Sequence, residues 1–148
     1  MSRIDFAFGA PDRLRMACDV ISKHHGAGRP VLVYCRQPAL LTQLDRLLWS
    51  FDPTAFIPHV DVSHDLATVT PVLLTATAPD PAMHARHDPD TVWLLNLDDE
   101  VPDTSSQFAR ILEIVDNHPQ TVSSARQRWK AYKAAGHELH AHDVSTRA

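Results

Sequence analysis

The segment Pro30-Val31-Leu32-Val33-Tyr34-Cys35 is a short, continuous apolar run that begins behind a proline. Such a run is typical of a strand that is covered on both faces, as in a parallel sheet. Residues 72–75 (Val-Leu-Leu-Thr) and 92–97 (Val-Trp-Leu-Leu-Asn-Leu) repeat the pattern. Residues 4–8 alternate weakly and predict a first strand, and residues 137–144 predict a last one.

Helical patterns lie between these strands. Pro11-Asp12 opens a helix that ends at His24-His25-Gly26-Ala27-Gly28, and Pro38 suits the first turn of a second helix. Strands that alternate with helices imply a three-layer α/β sandwich with a largely parallel central sheet. A chain of 148 residues can bury a proper core, so we expect one domain over residues 1–148, with the last few residues disordered.

The sequence after residue 101 predicts a third helix. Thr104 and Gln107 have the spacing of a capping box. Apolar residues then follow at helical spacing, namely Phe108, Ile111, Leu112 and Val115. His118-Pro119 would break this helix, and a basic helix is expected to follow.

The predicted fold is Rossmann-like, but the sequence lacks a nucleotide-binding loop. The chain has 4 glycines, and neither G-x-G-x-x-G nor G-x-x-x-x-G-K-[ST] occurs in it. The 10 histidines form no closed zinc pattern, and no G-x-S-x-G elbow is present. We therefore expect no cofactor, no metal and no catalytic residue.

The acidic segment Asp98-Asp99-Glu100 carries the alternative interpretation, a small Mg²⁺-dependent phosphohydrolase or nucleotide-binding enzyme. It follows a buried strand, and ligands in open α/β sheets bind at the carboxyl ends of strands. Three carboxylates could hold Mg²⁺ for phosphoryl chemistry. No Lys or Arg lies between Arg86 and Arg110 to clamp a phosphate, so an acidic loop is the simpler interpretation.

Charge is distributed unevenly along the chain. Residues 52–118 contain 12 acids and 2 bases, whereas residues 119–148 contain 5 bases and 2 acids. Because the acidic remainder would repel a phosphate backbone, strong direct binding of nucleic acid is not expected. The amino terminus lacks an apolar signal core and no long apolar run occurs, so we expect a cytoplasmic protein that does not bind membranes.

The predicted basic helix near the C-terminus has an apolar side and a basic side. Val122, Ala125, Tyr132 and Gly136 share the side that should face the core. The adjoining side carries Arg126, Lys130 and Lys133, and Trp129 lies at the seam. An aromatic residue beside cations suits an acidic peptide that ends in a hydrophobic residue. A solvated basic face is the alternative interpretation.

Trp49 is a second candidate for contact with a partner. On its predicted helix the leucines occupy one broad face, and Trp49 points away from them. Phe56-Ile57-Pro58 follows after a turn and could extend an apolar patch. Tryptophan is over-represented among interface anchors. Alternatively, the flanking loop covers Trp49 within the monomer.

Two motifs in this chain resemble a known family. The segment from Arg126 to Leu139 (Arg-Gln-Arg-Trp-Lys-Ala-Tyr-Lys-Ala-Ala-Gly-His-Glu-Leu) is similar to the end of the chi subunit of bacterial DNA polymerase III holoenzyme. Leu44-Asp45-Arg46-Leu47-Leu48-Trp49, followed by Phe56-Ile57-Pro58-His59, is similar to a second motif of that family. Order and spacing agree over residues 4–139.

The resemblance implies a non-catalytic accessory subunit of the clamp loader that joins two partners. Trp49, Phe56 and Pro58 would contact the psi subunit. The acidic C-terminal tail of single-stranded DNA-binding protein would bind a surface to which Arg126, Val122, Trp129, Lys130 and Lys133 belong. The family usually has Tyr in place of Trp129, and it often has Lys in place of Val122. The second replacement removes one charge contact, worth about 0.5 to 1 kcal/mol if exposed.

Overall fold

The computed structural model describes residues 2–146, which form three α-helices, four short 3-10 helices and seven strands. The α-helices are α1 (Arg13–Gly26), α2 (Pro38–Ser50) and α3 (Pro119–Ala134). The strands are β1 (Arg3–Ala10), β2 (Val31–Tyr34), β3 (His59–Asp61), β4 (Val72–Thr75), β5 (Trp93–Asn96), β6 (Arg110–Asp116) and β7 (Glu138–Asp143). The C-terminal residues for which the sequence predicts disorder include Arg147 and Ala148, which lie outside the described residues.

The seven strands form one sheet in the order β3-β4-β2-β5-β6-β1-β7, and every neighbouring pair is parallel. Each face of the sheet carries its own apolar cluster. Leu44 and Leu48 of α2 pack into one cluster together with α1, whereas Tyr132 of α3 packs into the other. The predicted three-layer α/β sandwich is therefore confirmed, with α1 and α2 on one face and α3 on the opposite face.

The neighbouring strands β1 and β6 lead to helices on opposite faces of the sheet. The chain passes from β1 into α1 on one face, and from β6 into α3 on the other. Such a reversal opens a crevice beyond the carboxyl ends of the two strands. The first turns of α1 and α3 border this crevice.

The prediction of a helix containing Phe108, Ile111, Leu112 and Val115 is wrong, because residues 110–116 form the central strand β6. Ile111 and Val115 pack toward α3, while Leu112 and Ile114 pack toward α1 and α2. A strand buried on both faces has apolar residues at nearly every position, and some of them fit a helical period by chance. The predicted capping box is wrong as well, since the Thr104 hydroxyl donates to the carbonyl of Pro79 at 2.6 Å.

The other predicted elements are observed, and one strand is additional. α1 begins after Asp12, whose side chain accepts from the Arg15 amide. Pro119 occupies the first turn of α3, and the helix ends before Gly136, which is exposed and has φ +85°. Gly136 therefore caps the helix and does not face the core. β3, for which the sequence predicts no element, has three residues and pairs with β4 at the sheet edge.

The buried His24 should make stability depend on pH. Burial lowers the pKa of His24 to about 4, and the charges of Arg29 and Lys23 add to the effect. Its Nδ1 accepts from the Arg29 guanidinium at 2.8 Å, which requires an unprotonated nitrogen. The unfolded chain binds this proton near its ordinary pKa of about 6.5, so the contribution of His24 to stability is lost as pH falls from about 6.5 to 4.

The loss attributable to His24 should approach about 3 kcal/mol across this pH window. Chemical denaturation of the parent and of His24→Gln at pH 7, 5.5 and 4 measures it, because glutamine offers an acceptor but does not titrate. Other titrating groups are common to both proteins and cancel in the comparison. Equal losses in parent and variant would show that His24 does not cause the pH dependence.

Candidate protein-binding surfaces

An exposed aromatic pair lies on the outer side of α2. Trp49 is 51% exposed and Phe56 is 76% exposed, and their ring centroids are 5.9 Å apart at 61°. Pro58 is half-buried in the same loop, two residues further along the chain. The flanking loop therefore extends the apolar patch and does not cover it. We call Trp49, Phe56 and Pro58 the aromatic surface.

The buried His59 fixes the loop beneath this surface. Its ring lies 4.6 Å from the Trp49 ring, and its Nδ1 donates to the carbonyl of Ile57 at 2.7 Å. Its Nε2 lies 3.0 Å from a carboxylate oxygen of Asp45 on α2. Because His59 joins the loop to the helix, Trp49 and Phe56 are held in place before any partner arrives.

A second surface runs along the outer side of α3. Arg126, Lys130 and Lys133 are exposed, and within residues 2–146 none of them forms a salt bridge or a side-chain hydrogen bond. Trp129 is half-buried and meets the Phe6 ring edge-to-face, with centroids 5.2 Å apart. Val122 is half-buried against the same core cluster. We call these five α3 residues, Val122, Arg126, Trp129, Lys130 and Lys133, the basic surface.

Arg128 does not belong to the basic surface, although it is one of the 5 bases of residues 119–148. It is 3% exposed, and its Nε donates to the Glu113 carboxylate at 3.1 Å. Glu113 also accepts from Asn96 Nδ2 at 2.9 Å and from the Tyr132 hydroxyl at 2.7 Å. Burial raises the pKa of Glu113, and these donors oppose the rise. This network joins α3 to the sheet, so Arg128 stabilises the fold.

The acidic segment after β5 is held by arginines that lie far away in the sequence. Asp98 is 4% exposed and accepts from the Arg36 amide and from its Nε, both at 2.9 Å. The carbonyl of Asp99 accepts from Arg128, and Glu100 projects into solvent 3.6 Å from Arg36. Among residues 2–146, no group of three His, Cys, Asp or Glu side chains could hold a metal ion. This geometry does not favour the magnesium-site interpretation.

The two surfaces lie on opposite faces of the sheet, one on α2 and the other on α3. No helix within residues 2–146 is long and apolar enough to cross a membrane. The class defined by this fold is a doubly wound α/β protein, and its exposed aromatic side chains are suited to contact with other proteins.

Comparison with known proteins identifies the family. The family described as "DNA polymerase III chi subunit, HolC" matches residues 1–140, so the chain belongs to this family. The DNA polymerase III subunit chi of Pseudomonas aeruginosa is 32% identical over 146 residues, covering 96% of each chain. The subunit of the same name from Haemophilus influenzae is 30% identical over 129 residues, covering 87% of this chain and 85% of its own. That of Escherichia coli K12 is 25% identical over 125 residues, covering 84% and 81%.

Proposed function

We propose that this protein is a non-catalytic accessory subunit of the DNA polymerase III clamp loader. In this role it joins the psi subunit to the acidic C-terminal tail of single-stranded DNA-binding protein during DNA replication. The observation that carries the proposal, beyond family membership, is the placement of the aromatic surface and the basic surface on opposite faces of one sheet. Partners bound to α2 and to α3 would not compete for the same space.

The basic surface supports the proposed binding of the tail. Arg126 has no partner within the described residues, so its planar guanidinium is free to bind a terminal carboxylate through two hydrogen bonds. Trp129 is held by Phe6 and can form one wall for an apolar terminal ring. Lys130 and Lys133 add positive charge for the acids that precede the terminus. Exposed charges are screened by salt, so binding should weaken as ionic strength rises.

The aromatic surface supports the proposed psi contact. Trp49 and Phe56 expose large apolar rings to water. A partner that covers these rings removes apolar area from water, which favours association. His59 and Asp45 fix their positions, which reduces the ordering cost of association. Trp49 is expected to be the central anchor, because tryptophans dominate interface hot spots.

The tail site is tested by titrating a labelled peptide, with the sequence of the last residues of single-stranded DNA-binding protein, against variants. Arg126→Ala should weaken binding by about 1.5–3 kcal/mol, the range for a charge-assisted hydrogen bond. Trp129→Ala should remove the binding free energy of the buried apolar area and, in addition, about 0.5–1.5 kcal/mol from the aromatic contact. Lys133→Ala should cost less, since it is one exposed charge among several.

Arg46→Ala is the matched control for this titration. Arg46 is exposed on α2, on the opposite face of the sheet, and its replacement changes the net charge by the same amount. It should bind the peptide like the parent. If Arg126→Ala and Trp129→Ala also bind like the parent, the basic surface is only a solvated helix face and the proposal fails.

A further inference from the structure

A cavity of about 400 Å³ opens in the crevice between the first turns of α1 and α3. Its lining consists of Arg13, Asp99, Gln120, Thr121, Ser124 and Arg128. At 100° per residue, Ser124 and Arg128 point to the side of α3 away from Arg126, so the cavity is separate from the basic surface. It occupies the switch point between β1 and β6, where open α/β sheets bind their ligands.

The first turn of α3 presents unpaired donors to this cavity. No side chain caps the helix, and the N–H groups of Gln120 and Thr121 have no hydrogen-bond partner within residues 2–146. α1 is different, because the Asp12 side chain already accepts from its first turn. A helix of 16 residues directs the positive end of its dipole at this point.

Two guanidinium groups add positive charge beside these donors. Arg128 is buried, and its Nη2 has no partner within the described residues. Arg13 is half-buried, and its Nε donates to the carbonyl of Ile114 at 2.9 Å. Burial lowers the pKa of Arg13, Glu113 opposes this change, and the charge of Arg128 lowers the pKa further. Glu113 and Asp116 are the acids that act on Arg13, and the Nη2 of Arg128 is left as a buried donor without a partner in the described residues.

We propose that this cavity binds a single phosphate group, either inorganic phosphate or the terminal phosphate of a nucleotide. The N–H groups of Gln120 and Thr121 and the Arg13 guanidinium would hold its oxygens, as at other helix N-termini that bind phosphates. Asp99 is exposed and also lines the cavity, so its negative charge opposes anions and does so more strongly as the charge of the ligand increases. Because the chain has no glycine-rich loop to hold a second phosphate, the site accommodates one.

Amide NMR spectra of the full-length protein test the site, with inorganic phosphate replacing chloride at constant ionic strength. The amides of Gln120 and Thr121 should shift and saturate, whereas those of Arg126 and Lys130 should not. Arg13→Gln should weaken binding about tenfold or more, and Arg126→Gln, which removes the same charge, should leave it unchanged. Shifts that grow without saturation, or equal binding by Arg13→Gln, would overturn the proposal.

Gln120→Glu separates binding from folding. A carboxylate in the first turn of α3 should leave thermal stability equal or higher, because it complements the helix dipole. It should nevertheless abolish the phosphate-dependent shifts, since it supplies the site with its own anion. A variant that folds normally and still binds phosphate like the parent would contradict the proposed site.

Adenosine monophosphate and adenosine distinguish the two sources of phosphate. Tighter binding of the monophosphate than of inorganic phosphate would indicate a nucleotide ligand, and equal binding would indicate that phosphate alone is recognised. Adenosine should not bind, and adenosine that binds as tightly as its monophosphate would overturn the proposal. The site is independent of the proposed bridging role, so Arg126→Ala should lose the tail peptide yet keep phosphate.

Discussion

Replacement of Arg128 by alanine is expected to lower the free energy of unfolding by about 3–5 kcal/mol, the usual cost of removing one partner of a buried ion pair. The variant leaves Glu113 buried without its counter-ion. It also removes the donor to the carbonyl of Asp99 and to the Ser124 hydroxyl, at 3.0 and 2.6 Å. Urea denaturation followed by circular dichroism measures the change.

Arg126→Ala is the control for this experiment, because it removes the same side chain two positions earlier on the same helix. Its side chain is exposed, so stability should change by no more than about 0.5 kcal/mol. The double variant Glu113→Gln with Arg128→Met should recover part of the loss, because glutamine still accepts from Tyr132 and carries no charge. Equal stability of Arg128→Ala and Arg126→Ala would show that the buried pair does not stabilise α3.

Replacement of Trp49 by alanine should have the largest effect on partner binding. An anchor at the centre of an interface costs about 2–4 kcal/mol when truncated, which is a loss of affinity of about 30-fold or more. The melting temperature should stay close to that of the parent, because half of the side chain is already in water. Calorimetric titration with the psi subunit and a thermal melt of each protein measure the two quantities.

Leu66→Ala provides the comparison for Trp49, since Leu66 is also apolar, is 56% exposed, and precedes Ala67, which packs into the cluster on the α3 side of the sheet. It should bind the psi subunit normally. If Trp49→Ala loses several kcal/mol of fold stability instead, Trp49 contributes to the core and its exposure does not mark an interface.

The sequence predicts most of this fold because its strands are short apolar runs bounded by prolines, acids and glycines. The runs at residues 30–35, 72–75 and 92–97 all become central strands. Continuous apolar character also explains why β6 is predicted as a helix. A strand buried on both faces has no strict alternation of apolar and polar residues to distinguish it from a buried helix. β3 has three residues, too few to give any periodic signal.

The placement of the two surfaces is also predictable from helical geometry, which puts Trp49 outside and Trp129 at a seam. Contacts between distant segments are not predictable in this way. Arg128 and Arg126 look alike in sequence, and only the packing of α3 over Glu113 makes one structural and the other exposed. The cavity between α1 and α3 likewise depends on Arg13 and Thr121, which are more than one hundred positions apart.

The most direct test of the bridging role measures how much psi subunit is retained on immobilised single-stranded DNA-binding protein in the presence of this chain. The proposal predicts retention with the parent, and loss when the last residues of the DNA-binding protein are removed. The Trp49→Ala variant should itself bind the immobilised DNA-binding protein but should not retain the psi subunit. With Arg126→Ala, both the variant and the psi subunit should fail to be retained. Retention of psi without this chain, or displacement of one partner by the other, would contradict the bridging role.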